Sequence, residues 1–289
     1  MKKIAIVILL VALCILSGCN AAQNSAQIAA TTKPVYDFTV MLCQGTDISV
    51  SLIVTENLSC LHDYSLQVNQ MRTVEAAEMV IISGAGLEDS MEDALACAQM
   101  IIDASEGIEL HCPEHSHDHP EHHHNADPHI WLNISNARKM AQNICAALSD
   151  NYPEYSSTFQ DNLRNLQEEF DKLDRYGQNA LANLSCRDLV TFHDGFSYFA
   201  AYWDLHILHA IEEESGSEAS AAELIELINI VRENSLPAIF TETSGNTAAA
   251  YIIAAETDVP IYTLNMGMSE SDYFESMYHN IDTIKEALE

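Results

Sequence analysis

The sequence predicts an α/β protein of two lobes, each a mostly parallel sheet flanked by helices, joined by one long backbone helix. Three observations carry that prediction. Apolar, β-rich runs alternate with helical stretches in the first part of the chain, and the same alternation restarts after residue 186. Between them runs a single stripe in which Tyr155, Phe159, Leu163, Leu166, Phe170, Leu173, Tyr176, Ala180 and Leu184 recur mostly at steps of three or four. Pro153 suits the first turn of such a helix. At 1.5 Å per residue, 153–185 would reach about 48 Å, long enough to strut two lobes. A kink near Gly177 is the competing reading.

Taken in order, residues 1–18 read as a leader, with "MKK" positive, "IAIVILLVALCIL" apolar and "LSGC" a small-residue stop. The apolar run is too short for a permanent membrane span. Residues 19–33 are small and polar, and are expected to form a flexible tether. The N-terminal lobe, 34–152, opens with the strand-like "YDFTVML" and "DISVSLIV". A loop holding "CLHDY", the helical "SLQVNQMRTVEAAE" and the strand-like "MVIISGAG" follow, then a helix from Glu88 to Met100 and the strand "MIIDA". A histidine-rich loop occupies 111–124. After the linking helix 153–185, the C-terminal lobe, 186–289, repeats the rhythm. Its strands are "DLVTFH", "HILHAI", "PAIFTE" and "PIYTLN", and its helices run through "SYFAAYW", "SAAELIELINIVREN", "TAAAYIIAAETD" and "SDYFESMYHNIDTIKEALE".

The formal charge of −31 repels nucleic acid and anionic lipid alike, and a field of that sign concentrates small cations. "LSGC" resembles the lipobox of bacterial lipoproteins, which implies cleavage before Cys19 and lipidation of its thiol. The mature protein would then sit outside the cytoplasm, touching the membrane only through its anchor. Disulfides can persist there, but sequence does not choose a pairing among Cys43, Cys60, Cys97, Cys112, Cys145 and Cys186. No C-x-x-C pair favours a zinc-thiolate site.

His62 follows "ISVSLIVTENLSCL", His129 ends "ADPH" and His193 ends "DLVTFH", positions at or just past strand ends, where a βα fold usually presents ligands. His206 begins a run instead. Imidazole suits zinc, copper, iron and nickel better than calcium or magnesium.

The blocks "CLHDYSLQVNQMRTVEAAEMVIISGAGLE", "DPHIWLN", "FHDGFSYFAAYWDL" and "IFTETSGNTAAAYIIAAETDVPIYTLN" resemble, in order and spacing, those of the metal-binding lipoproteins that feed zinc or manganese to bacterial ABC importers, the cluster A-I solute-binding proteins. The likeness covers essentially the whole chain after the tether. It implies that His62, His129 and His193 converge on one metal ion between the lobes. Where zinc-type members often carry a carboxylate after the last strand, this chain has "TLNMGMSES", with Asn265 and Met268. Glu242 is then the nearest remaining carboxylate candidate, Asp63 adjoins His62, and a water is the alternative. Three imidazoles with at most one carboxylate favour Zn2+ over Mn2+, which needs more oxygen ligands. Asp127 is placed to orient the His129 ring or to cap the helix that starts near Asn133. Asn133 stands where the family usually has Asp and is read as a local cap, and Trp131 as a packing residue.

His111, His115, His117, His119, His122, His123 and His124 lack apolar neighbours and are expected to form a mobile, low-affinity metal loop that collects zinc beside the tight site. A solvated polar insertion is the plainer alternative. The functional expectation is a monomeric, lipid-anchored protein that captures zinc and delivers it to an ABC permease. A manganese- or iron-binding member of the same family is the alternative within the class. A zinc hydrolase is the alternative outside it, although no H-E-x-x-H helix or nucleophile elbow is present. A role in cell adhesion rests only on anchoring and acidity.

Overall fold

The computed structural model describes residues 26–56, 58, 61, 64–111, 126–193, 195–212, 219–243 and 247–289. His62, Asp63, His115 to His124 and Cys19 lie outside that set, as do the leader and the first part of the tether.

The first sheet is wholly parallel, with strand order β2-β1-β3-β4 for β1 (Ile28–Ala30), β2 (Val50–Leu52), β3 (Met79–Ile82) and β4 (Ile101–Asp103). Ile28 pairs with Val50 on one side and Met79 on the other, so β1 is central and fully buried. Its three small or apolar residues match a strand covered on both faces. Residues 28–30, expected in the tether, therefore supply an inner strand of the lobe. A second correction follows directly. "YDFTVML" is not a strand but the body of α1 (Lys33–Leu42), which starts at a Pro in its first turn and buries Val35, Phe38, Thr39 and Leu42.

Downstream, α2 (Val68–Ala76) opens with a capping box in which Gln67 and Gln70 answer each other's backbone N–H. The expected helix from Glu88 to Met100 is much shorter, being a 3₁₀ turn (Asp89–Met91) followed by α3 (Glu92–Leu95). Glu88 turns inward instead of starting a helix. Its carboxylate accepts from the Thr31 hydroxyl at 2.6 Å and from the backbone N–H of Ser83 and Gly84 at 2.8 and 3.0 Å.

After a 3₁₀ turn (Ile130–Leu132), α4 (Ile134–Asn151) begins at Asn133, whose side chain accepts from the N–H of Ser135 and Asn136. A turn at Pro153–Tyr155 leads into α5 (Ser156–Ala180), which buries Phe159, Leu166, Phe170, Leu173 and Gly177 along one face. This is the long helix that joins the lobes. It packs on α1 and α4 on one side and on α9 (Tyr273–Leu288) on the other. Gly177 does not break it: a Cβ there would fall 2.2 Å from the Trp203 ring, so the glycine serves the close approach of that indole.

The second lobe contains β5 (Asp188–His193), α6 (Ser197–Tyr202), β6 (His206–Glu212), α7 (Ala221–Glu233), β7 (Ile239–Glu242), α8 (Ala248–Thr257) and β8 (Ile261–Leu264) before α9 closes the chain. β5 pairs with β6 and β7 with β8, all parallel, and β5 lies beside β7. The second lobe thus holds two two-stranded parallel sheets set side by side through β5 and β7, where the first lobe has one four-stranded sheet. One apolar core runs from β1 and β3 through Phe159 and Phe170 to Tyr273 and Ile281, and a smaller cluster lies beneath α7 and α8. Among the described residues no helix is long and apolar enough to cross a membrane. The described cysteines Cys43, Cys97, Cys145 and Cys186 are free thiols.

Candidate metal centre

Two of the three expected imidazoles meet. His193 is the last residue of β5, and His129 sits immediately before the 130–132 turn. Their rings lie 5.3 Å apart, nearly perpendicular, and both side chains are buried. His62 lies outside the described residues. Accordingly, among the described residues no group of three or more His, Cys, Asp or Glu side chains forms a complete metal-binding set.

Each ring is held by a buried carboxylate at the same nitrogen. His129 Nδ1 bonds Asp127 Oδ1 at 2.8 Å, and the same oxygen accepts the His129 backbone N–H at 2.9 Å. His193 Nδ1 bonds Glu242 Oε1, from the end of β7. With both carboxylates accepting from an Nδ1–H, the tautomer is fixed and Nε2 of each ring carries the lone pair. Burial by itself would push the Asp127 carboxyl up. The hydrogen bonds and charge of His129, with the Ser197 hydroxyl, outweigh it and hold Asp127 below the usual carboxylate range.

Two polar atoms here are buried without a hydrogen-bond partner, His193 Nε2 and Glu242 Oε2. Leaving such atoms unsatisfied costs about 1–3 kcal/mol each, more for a charged group, and a cation is what an imidazole nitrogen and a carboxylate oxygen would both accept. Glu242 thus supports His193 through one oxygen and leaves the other without a partner. Gly195 keeps the space beside them open: a Cβ there would come within 2.5 Å of His193 Nε2 and 2.7 Å of the Met266 methyl.

Asn265 occupies the loop after β8, but its side chain is committed elsewhere. Oδ1 accepts the Gly267 N–H at 2.8 Å, Nδ2 donates to Ser269, and Asn280 brackets its backbone. Met268 is buried in the apolar core. Trp131 packs fully buried and also donates its indole N–H to the Met266 carbonyl. His206 bonds Asp188 at the far end of β5, away from this edge. His111 stands at the base of the histidine-rich loop rather than free within it, its ring stacked on Tyr198 at 4.3 Å. Ser197, Tyr198 and Gly195 escaped the sequence reading. Only "FHDGFSY", directly after a strand-end histidine, could have drawn attention to them.

Two α/β lobes braced by one helix, with carboxylate-held imidazoles at the carboxyl edge of a sheet, define the class of two-lobed solute-binding proteins. Within that class the chain belongs to the ZnuA family, the periplasmic component A of the zinc-uptake complex, whose family model matches residues 28–287. Members are metal-binding components of ABC metal importers, not enzymes. A putative metal-binding protein of Treponema pallidum is 27% identical over 274 residues, spanning 90% of this chain and 86% of that one. The zinc-binding lipoprotein AdcA of Streptococcus pneumoniae is 28% identical over 309 residues, covering 99% of this chain, which spans only 61% of AdcA's length. A crystal structure of ZnuA superposes with a TM-score of 0.80 at 27% identity, covering 91% of this chain and all of the other.

Proposed function

We propose that this protein captures Zn2+ through His62, His129 and His193, with Glu242 Oε2 or a water as fourth donor, and passes it to an ABC permease. The observation that carries the reading is the convergence of His129 and His193 at 5.3 Å, each Nδ1 held by a carboxylate so that Nε2 is the donor. A metal-ligating histidine almost always donates its other ring N–H to a carboxylate, a backbone carbonyl or a water, and a carboxylate is the partner of both rings here. An imidazole-dominated set with one carboxylate favours zinc over manganese. AdcA is named for zinc and the PsaA lipoprotein of Streptococcus mitis for manganese, so relatives of both kinds exist and the donor set decides the proposal. Cys19 would carry the lipid anchor, and His115 to His124 would collect zinc weakly beside the site.

Elemental analysis of the purified protein, paired with competition against a fluorescent chelator, tests the reading. One zinc per site, displaced only weakly by manganese and lost in His129→Ala, is expected. Retention of wild-type affinity in His129→Ala would sink it. Deleting residues 112–124 should lower the number of weakly bound ions and leave the tight one.

A further inference from the structure

The two ends of the histidine-rich loop meet at one place, and the residues that hold them there are neighbours in sequence. Asp127 donates its backbone N–H to the His111 carbonyl at 3.0 Å, closing the loop at its base. Both ends are then gripped by the first two residues of α6, which belongs to the other sheet. Ser197 donates its hydroxyl to Asp127 Oδ2. Tyr198, fully buried, accepts the His111 N–H on its hydroxyl at 2.8 Å and stacks its ring on the His111 imidazole.

The division of labour on Asp127 is what gives these contacts a function. Oδ1 accepts both His129 bonds, while Oδ2 accepts Ser197. The Asp127 side chain is 6% exposed, so water does not readily replace a lost partner. Without the serine hydroxyl, Oδ2 would be a buried, charged, unsatisfied atom, and the group would rotate to find a donor. Rotation would take Oδ1 off the His129 ring.

We propose that Ser197 is a positioning residue for metal capture, acting through Asp127 to hold the His129 imidazole, with Tyr198 fixing the opposite end of the same loop. This rests on the reading of His129 as a ligand. The hold comes from across the lobe boundary, so His129 is aimed by an element that shares no strand with it.

Zinc titrations against a fluorescent chelator on Ser197→Ala, Ser197→Thr, Asp127→Asn and the Ser197→Ala/Asp127→Asn pair test it, with melting of the metal-free proteins alongside. Ser197→Ala is expected to weaken zinc binding about tenfold to a hundredfold, the range typical of outer partners of metal ligands. Threonine, which keeps the hydroxyl, should restore most of it. In the Asp127→Asn background the alanine should cost nothing further, because its route to His129 is already cut. Wild-type affinity in Ser197→Ala, or losses that simply add in the pair, overturns the proposal even if His129→Ala abolishes binding. Unchanged binding in His129→Ala overturns the ligand reading and this proposal together.

Discussion

Trp131, in the turn that follows His129, donates its indole N–H to the main-chain carbonyl of Met266, 135 residues later, at 2.7 Å. Tyr273 closes the same junction by donating its hydroxyl to the Trp131 carbonyl at 3.0 Å, and its own backbone N–H goes to the Asp37 carboxylate at 2.9 Å. The turn that carries His129 is therefore fastened to the loop after β8 by main-chain acceptors on both sides.

Replacing Trp131 by Phe keeps a ring but strands the Met266 carbonyl in a buried site. The expected cost is about 1–3 kcal/mol, read as a lower urea midpoint for the metal-free protein. A midpoint equal to wild type would mean that the bond adds no net stability.

Zinc binding should weaken on acidification. Imidazole has a reference pKa near 6.5, and a protonated ring cannot donate to a metal, so affinity falls steeply below about pH 6. Competition titrations at pH 7.5 and pH 5 measure this. Equal affinities at the two values contradict a site dominated by histidine.

Burial pushes the Glu88 carboxyl up to about 7 from an ordinary 4.5, against the opposing bonds from Thr31, Ser83 and Gly84. Between those values the native state holds a proton that the unfolded chain releases, so this group's contribution to stability declines as pH rises from about 4.5 to 7. The full decline amounts to roughly 3 kcal/mol. Glu88→Gln should gain stability relative to wild type across that interval, measured by denaturant unfolding of the metal-free proteins at pH 5 and pH 7.5. A difference independent of pH would show that the carboxyl titrates elsewhere.

Gly177→Ala raises helix propensity by about 1 kcal/mol in isolation, yet it places a methyl 2.2 Å from the Trp203 ring. Overpacking of this kind typically costs about 1–3 kcal/mol, so the variant should melt lower than wild type. A higher melting temperature would show that the indole moves aside freely.

The order of strands and helices was legible because buried parallel strands read as apolar runs and α5 as a sustained stripe. What escaped reading is instructive in physical terms. Ile28–Ala30 is too short and too rich in alanine to announce a strand; its burial comes from β2 and β3 pairing on either side. Residues Tyr36 to Leu42 carry aromatic and β-branched side chains that favour strands, but packing on α5 makes them a helix, as Lys33-Pro34 at its start hinted. At the site, His193 was visible as a strand-end histidine. The second role of Glu242, as the support of that ring, was not, because it depends on β5 lying beside β7. Ser197 was invisible for the same reason, since its contact with Asp127 spans 70 residues.

Phe38, Phe170 and Tyr273 meet edge to face, with centroids 4.9 to 5.8 Å apart, at the place where α1, α5 and α9 come together. Prising the halves apart there would wet three large rings, a penalty on the order of 10 kcal/mol. Any opening that leaves these three rings in contact escapes that penalty.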